Sequence, residues 1–242
     1  MNLILLEEKA SHLHWDQQDP RTIHLQSILR AKDGDQVDFA VVNGPKGKGT
    51  VYWQEDRSVK LTFLWEANHA SDLLPIHLIV GLSRPQTCRK ILEQGAALGV
   101  GKFLFFTGDK SEPSYANSGL WKGDEWKNKL QAGVEQAFST YLPDCDHYPD
   151  LGSALSAVGG EDCLRLALDV YEAPDPLSTH EVGSEKSACL AIGPERGWSA
   201  AERQTLREFG FCFRHLGPRV LRVETAMVAA VGILASVHWG GT

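Results

Sequence analysis

The sequence predicts an α/β protein, a mostly parallel sheet covered by helices on both faces and preceded by a small β-barrel or sandwich module. Three observations predict it. Over the first seventy residues, short strand-like runs follow one another closely, separated by turns. From about Ser71 the rhythm changes to strands alternating with helical stretches. The later strands are near-continuous apolar runs, as expected of strands buried on both faces. The expected division is therefore 1–70 and 71–242.

The elements follow in order. "RTIHLQSILR" (21–30) reads as a short helix with Ile23, Ser27 and Ile28 near one face. "KDGD" is a turn and "QVDFAVV" alternates as a strand. "NGPKGKG" (43–49) reads as a glycine-rich hairpin loop, with "TVYWQ" and "SVKLTFLWEA" as further strands. "LPIHLIVGL" (74–82) is a strand, and a helix is predicted over 84–99, with Cys88, Ile91, Leu92, Gly95 and Ala96 on one face. "KFLFFTG" (102–108) is a buried strand and "DKSEPSYANSG" a polar loop. The stretch from Trp121 to Tyr141 carries Trp126, Leu130, Val134, Ala137 and Tyr141 at helical spacing. "CLRLALDV", "SACLAIG" and "FCFRHLG" are strands. Ser199 with Glu202 three residues on forms a capping box for a helix that Gly210 ends. "TAMVAAVGILASVHW" is the last helix, with Met227, Ala230, Val231 and Leu234 facing one way.

Composition narrows the function classes. At 242 residues, 43% apolar and 23% charged, the chain has the make-up of a globular protein with a real core. It has no apolar run near the roughly 18 residues that suggest a membrane span. The N-terminal "MNLILLEEKA" has no basic residue ahead of its short apolar run, and acids follow at once, which reads against a secretory signal and for a cytoplasmic protein. Five scattered cysteines without a CxxC pair read as reduced thiols, and nine histidines without HExxH give no metal motif. A net charge of −7 argues against indiscriminate nucleic-acid binding but not against a local basic face. Kinase, dehydrogenase and hydrolase readings lose their support, because no GxxxxGK[ST], no GxGxxG after a strand and no GxSxG is present.

Ligands of parallel α/β sheets bind beyond the carboxyl ends of the strands. Three loops there stand out: "DVYEAPDP" (169–176), "GPERGWS" (193–199) and "GPRVLRVET" (217–225). Two of them open with Gly-Pro, which lets a ligand approach the backbone and fixes the chain direction. Gly-Pro is also ordinary turn punctuation. Glu224 and Thr225 equally suit a helix N-terminus, and Arg219 and Arg222 equally suit pairing with surface acids.

"IGPERGWSAAE" followed by "LGPRVLRVETAMVAA" closely resembles the RsmE family, whose pattern is IGPEGG(x)S(x)(x)E and then LG(x)R(I/V)LR(T)ETA. "HLQSILRAKDGDQV", "LGV" at 98–100 and "EQ" at 135–136 agree with it. The resemblance spans nearly the whole chain and is strongest over the last fifty residues. It implies a PUA-like β-barrel, which binds RNA, followed by a SPOUT-type parallel sheet whose C-terminal chain forms a trefoil knot. The implied activity is transfer of a methyl group from S-adenosylmethionine to N3 of a uridine in 16S ribosomal RNA of the small subunit, by a homodimer. The cofactor would lie against Leu168, Ile192, Gly193, Pro194, Glu195, Gly197, Leu216, Gly217, Arg219, Val220, Leu221, Thr225 and Ala226. Glu224 would be the base for the imide proton and Arg222 the stabiliser of the resulting anion, with an Arg222–Glu224 pair as the structural alternative. Arg30, Lys46 and Lys48 from the barrel, with Arg84 and Arg89, would meet the RNA backbone. The chain departs from the family at four places: Arg196 replaces a glycine, Ala97 an acid, Asn2-Leu3 a basic N-terminal pair, and "AFSTY" (137–141, with Ser139) the basic residue that follows "EQ" in relatives. The rival readings are the same fold acting on another RNA, such as transfer RNA, and a non-catalytic RNA-binding or ribosome assembly factor.

Overall fold

The computed structural model describes residues 3–158, 162–179 and 187–239, with side chains to 236 in the last stretch. The chain divides into two compact units, Met1–Asp72 with Val134–Leu142, and Leu73–Gly133 with Pro143–Thr242.

In the first unit the strands are β1 (Ile4–Leu6), β2 (His12–Trp15), β3 (Gln36–Val41), β4 (Lys46–Trp53) and β5 (Val59–Trp65), with helix α1 (Pro20–Ile23) between β2 and β3. They form one sheet in the order β1-β3-β4-β5-β2, antiparallel except for the β1–β3 pair. The sheet curls around a core of Ile4, Leu6, Trp15, Leu25, Val37, Phe39, Val51, Val59 and Leu61.

The structure departs from the sequence expectation at two places in this unit. The segment after β2 is a single α turn continued by a π turn over His24–Ile28, and it buries Thr22 and Leu25. Ile23 and Ile28 point outward at 48% and 65% exposure, because the wider π turn rotates the inward face away from the positions that a regular helix would choose. The loop after β3 is also shorter than expected, since Lys46 already pairs with Ala40 in β4. The glycines there serve packing rather than turning: a Cβ on Gly49 would come within 2.5 Å of the Phe39 ring.

In the second unit the elements are β6 (Leu74–Gly81), α2 (Pro85–Ala97), β7 (Val100–Phe106), α3 (Gly119–Lys122), α4 (Glu125–Gln136), β8 (Asp144–Tyr148), α5 (Leu151–Ser156), β9 (Cys163–Leu168), β10 (Asp175–Pro176), β11 (Ser187–Ile192), α6 (Ala200–Glu208), β12 (Cys212–His215) and α7 (Val223–Trp239). Among the described residues seven strands form one sheet in the order β10-β12-β9-β11-β6-β7-β8, every pair parallel. One face is covered by α5 and α6 through Leu151, Leu155, Leu206 and Phe211, packed with Trp198 on Ile79, Leu104, Phe106 and Ala191. On the other face α2 buries Cys88, Ile91, Leu92, Gly95 and Ala96 as expected, and Gly95 lies flat on Phe103 and beside Met227 of α7. Met227, Ala230, Val231 and Leu234 are all buried. The capping box is formed, with Glu202 N bound to Ser199 Oγ at 3.0 Å and Ser199 N to Glu202 Oε2 at 2.7 Å.

The single helix expected from Trp121 to Tyr141 is instead two, and α4 ends at Gln136. Phe138 has φ 59°, which leaves the helical region, and Tyr141 lies on an extended return that belongs to the first unit. There Asn43 N donates to Thr140 O at 2.8 Å and Leu142 N donates to Asn43 Oδ1 at 2.9 Å. The expected loop over 109–119 includes a 3₁₀ turn at Pro113–Asn117. Among the described residues no helix is long and apolar enough to cross a membrane, and no cluster of His, Cys, Asp and Glu is arranged to hold a metal.

Candidate functional site

In chain order the sheet grows outward from β6 through β7 to β8. It then resumes on the other side of β6, where β11 inserts between β6 and β9. The reversal leaves a crevice at the carboxyl ends of β9, β11 and β12, the expected place for a ligand in an open α/β sheet. A cleft of about 330 Å³ opens there. Its floor is apolar, from Leu168, Ile192, Leu216, Leu221, Val223 and Ala226, and its walls are the three loops that leave those strands.

The loop after β11 is a tight turn closed by Gly197 N donating to Pro194 O at 2.7 Å, with Gly197 at φ +70°. Glu195 and Arg196 are the two central residues, and both are exposed. Arg196 does not have positive φ, so an arginine costs no backbone strain where the family pattern has glycine. Glu195 is held from α2, by Arg84 Nε at 3.2 Å and by Thr87 Oγ1 at 3.0 Å.

Trp198 closes the floor. Its ring stacks on Phe106 (centroids 5.9 Å apart, planes at 2°), and its Nε1 donates to Leu168 O at 2.8 Å, joining the loop after β11 to the end of β9. The loop after β9 is fixed by a buried ion pair. Asp169 Oδ2 accepts from Arg203 Nε at 2.5 Å, with side chains 2% and 12% exposed, and Asp169 Oδ1 accepts from Tyr171 N at 2.8 Å. Arg203 also donates to Trp198 O at 3.1 Å, so one guanidinium from α6 holds two of the three loops.

The loop after β12 turns at Gly217, whose amide donates to His215 Nδ1 at 3.0 Å. It then presents Arg219, Val220 and Leu221 to the cleft. Arg222 is exposed immediately beyond them, and α7 begins at Val223.

Of the residues expected to hold the cofactor, Leu168, Ile192, Gly193, Pro194, Glu195, Gly197, Leu216, Arg219, Val220, Leu221 and Ala226 converge on this cleft. Gly217 and Thr225 are not among its lining residues, and Thr225 faces solvent. Nor are Arg222 and Glu224. Glu224 is buried and turned toward α2, where Lys90 Nζ lies 3.2 Å from its Oε1. Burial pushes the Glu224 carboxyl up, but its own backbone amide, Lys90 and Arg222 outweigh burial and hold it below the ordinary glutamate value. What this lowering adds to stability is present at neutral pH and is lost as pH falls through that depressed value.

The basic residues expected to meet RNA are spread. Arg84 pairs with Glu195, Arg89 with Glu125 at 2.5 Å, and Lys48 with Asp38. Lys46 lies 5.5 Å over the Phe138 ring, and Arg30 is exposed with φ 51°. Sequence reasoning placed Tyr171 and Trp198 in ligand loops without giving either a role, and it missed Arg203, Arg214 and His215 as cleft residues. Trp198 follows the Gly-Pro turn directly, but nothing in the spacing of Asp169 and Arg203 announces that they pair.

A family model described as an RNA methyltransferase domain matches residues 70–235. The Borreliella burgdorferi ribosomal RNA small subunit methyltransferase E 1 is 27% identical over 237 residues, covering 98% of each chain. The Treponema pallidum ribosomal RNA small subunit methyltransferase E is 29% identical over 246 residues, 98% of this chain and 92% of that one. A crystal structure of the Neisseria gonorrhoeae ribosomal RNA small subunit methyltransferase E bound to S-adenosyl methionine superposes with a TM-score of 0.79 over 98% of both chains at 22% identity, a likeness of fold. The match spans more than half of the chain, which therefore belongs to the RNA methyltransferase domain family, with the switch-point cleft inside the matched region. Within that family it is similar along nearly its whole length to ribosomal RNA small subunit methyltransferases E.

Proposed function

We propose that this chain transfers the methyl group of S-adenosylmethionine to N3 of a uridine in the 16S ribosomal RNA of the small subunit. In this reading it acts in the cytoplasm as a homodimer. The first unit serves as a PUA-like RNA-binding module, and the 216–222 loop forms part of a C-terminal trefoil knot. The observation that carries the reading is the convergence of both Gly-Pro loops, with the loop after β9, on one cleft.

The residues present fit the cofactor. A volume of about 330 Å³ falls within the ~300–1,000 Å³ of small-molecule sites. Apolar side chains flanked by peptide groups suit a flat heterocycle read by backbone donors and acceptors. Gly193 leaves the floor bare, since a Cβ there would meet the Trp198 indole at 3.1 Å. Leu168, Ile192, Gly193, Leu216 and Leu221 would hold the adenosine.

When bound, S-adenosylmethionine supplies a methyl group already activated for in-line displacement. The chain must then position the target nitrogen against it, and orientation contributes up to roughly 7–11 kcal/mol in ideal cases. Neutral N3 has no free lone pair, so the imide proton has to leave. Glu224 lies outside the cleft lining, paired with Lys90, and ties the first turn of α7 to α2. The proton therefore passes to water, and Arg222 with Arg219 stabilises the imide anion.

Incubating the protein with labelled cofactor and small subunits that lack the modification tests the reading. Mass analysis of the product should give 3-methyluridine. A different methylated nucleoside, or transfer only to another RNA, would move the assignment to that target. Arg222→Ala should lower kcat about 10²-fold with cofactor Kd unchanged, and Arg222→Lys should recover part of the loss. An unchanged kcat would remove Arg222 from the reaction.

A further inference from the structure

We infer that Tyr171 and Arg196 form a grip for one unpaired nucleotide of the RNA at the mouth of the cleft, the phenol ring stacking on the base and the guanidinium pairing with a phosphate. The inference rests on the reading of the cleft as the methyl-transfer site of an RNA methyltransferase, and it names one residue outside the family motifs and one at which this chain departs from them.

Tyr171 lines the cleft yet is 80% exposed, an unusual place for an aromatic ring with no packing role. Its backbone is the opposite of loose, because its amide is bound to the buried Asp169 carboxylate and that carboxylate is locked to Arg203. A fixed backbone carrying a free ring is a pre-organised platform. Val170 and Val220 add exposed apolar surface on the same rim, at 44% and 75%. Unstacked bases are recognised on such surfaces, since every base has an aromatic face.

Charge selects the occupant. Among the described residues the acids of the rim are each engaged: Asp169 by Arg203, Glu172 by Arg207 and by Arg203 at 3.5 Å, Glu195 by Arg84, and Asp175 by Arg214 at 3.8 Å. Among the described residues Arg196 and Arg219 have no acidic partner, so the rim keeps an excess of positive charge on a chain whose net charge is −7. An apolar or acidic partner would leave the aromatic ring or the two guanidiniums unused. A nucleotide uses both. Arg196 stands at the second central position of an exposed turn, so its side chain reaches outward without disturbing the floor.

The test uses the full-length protein, calorimetric titration of S-adenosylmethionine, and fluorescence anisotropy of a labelled oligouridylate over a range of salt. Tyr171→Ala should raise the oligouridylate Kd roughly 10-fold, while Tyr171→Phe stays close to the parent protein. Arg196→Gly should weaken binding and reduce the salt slope by about one unit. In methylation of small subunits the same variants should raise KM for the RNA more than they lower kcat. If the parent methylates RNA but Tyr171→Ala and Arg196→Gly bind and turn over as the parent does, the grip is wrong. If the parent transfers no methyl group yet binds oligouridylate through Tyr171 and Arg196, the grip stands and the functional reading fails.

Discussion

Replacing Arg203 with methionine is expected to destabilise the second unit by about 3–5 kcal/mol, because it leaves the Asp169 carboxylate buried without a counter-charge. The pair is nearly closed to water, so solvent screening does little to weaken it. The loss should be read in urea-induced unfolding, as a lower midpoint with an unchanged slope. Adding Asp169→Asn to the same chain removes the orphaned charge and should return more than half of the loss. A single substitution that costs nothing would mean that the Asp169 loop does not depend on α6. The same variant should bind the cofactor more weakly, since Arg203 also holds Trp198 O.

Trp198→Ala is expected to cost about 3–5 kcal/mol, as large-to-small changes of buried aromatic residues do. The ring is 2% exposed and stacked on Phe106, so its removal opens a cavity under the floor of the cleft. Trp198→Phe separates the two contributions. It keeps the aromatic contact but leaves Leu168 O without its donor, a loss of about 1–3 kcal/mol for an unsatisfied buried carbonyl. Denaturant unfolding of the two variants side by side checks this. Equal losses would show that the hydrogen bond, rather than the ring, carries the effect.

Much of this architecture was legible because burial on both faces leaves a strong pattern. β6, β7, β9 and β11 are near-continuous apolar runs, and α2 and α7 carry one inward stripe each. β8 was missed for the converse reason. It is an edge strand, and "DCDHY" is mostly polar because only one side of it meets the sheet. The end of α4 was misplaced because Ala137 and Tyr141 continue a helical spacing that the backbone abandons at Phe138. Ile23 and Ile28 were assigned inward because a regular helix was assumed where the chain forms a π turn.

The cleft was legible through its glycines, prolines and apolar residues, which sit next to one another in two motifs. Its supports were not. Asp169 and Arg203 come together through the insertion of β11 between β6 and β9, and no local pattern encodes that meeting. Glu224 is expected as the base or as the partner of Arg222, and the sequence does not announce that Lys90 of α2 answers its charge.

The cleft between the loops after β9, β11 and β12 is the proposed site of S-adenosylmethionine. Calorimetric titration of the cofactor into the parent protein and into Leu221→Trp, whose larger side chain enters the cleft, tests it most directly. One binding event per chain is expected for the parent and none for the variant, with both equally folded. Cofactor heat that Leu221→Trp leaves unchanged, or a parent that takes up no cofactor, would contradict it.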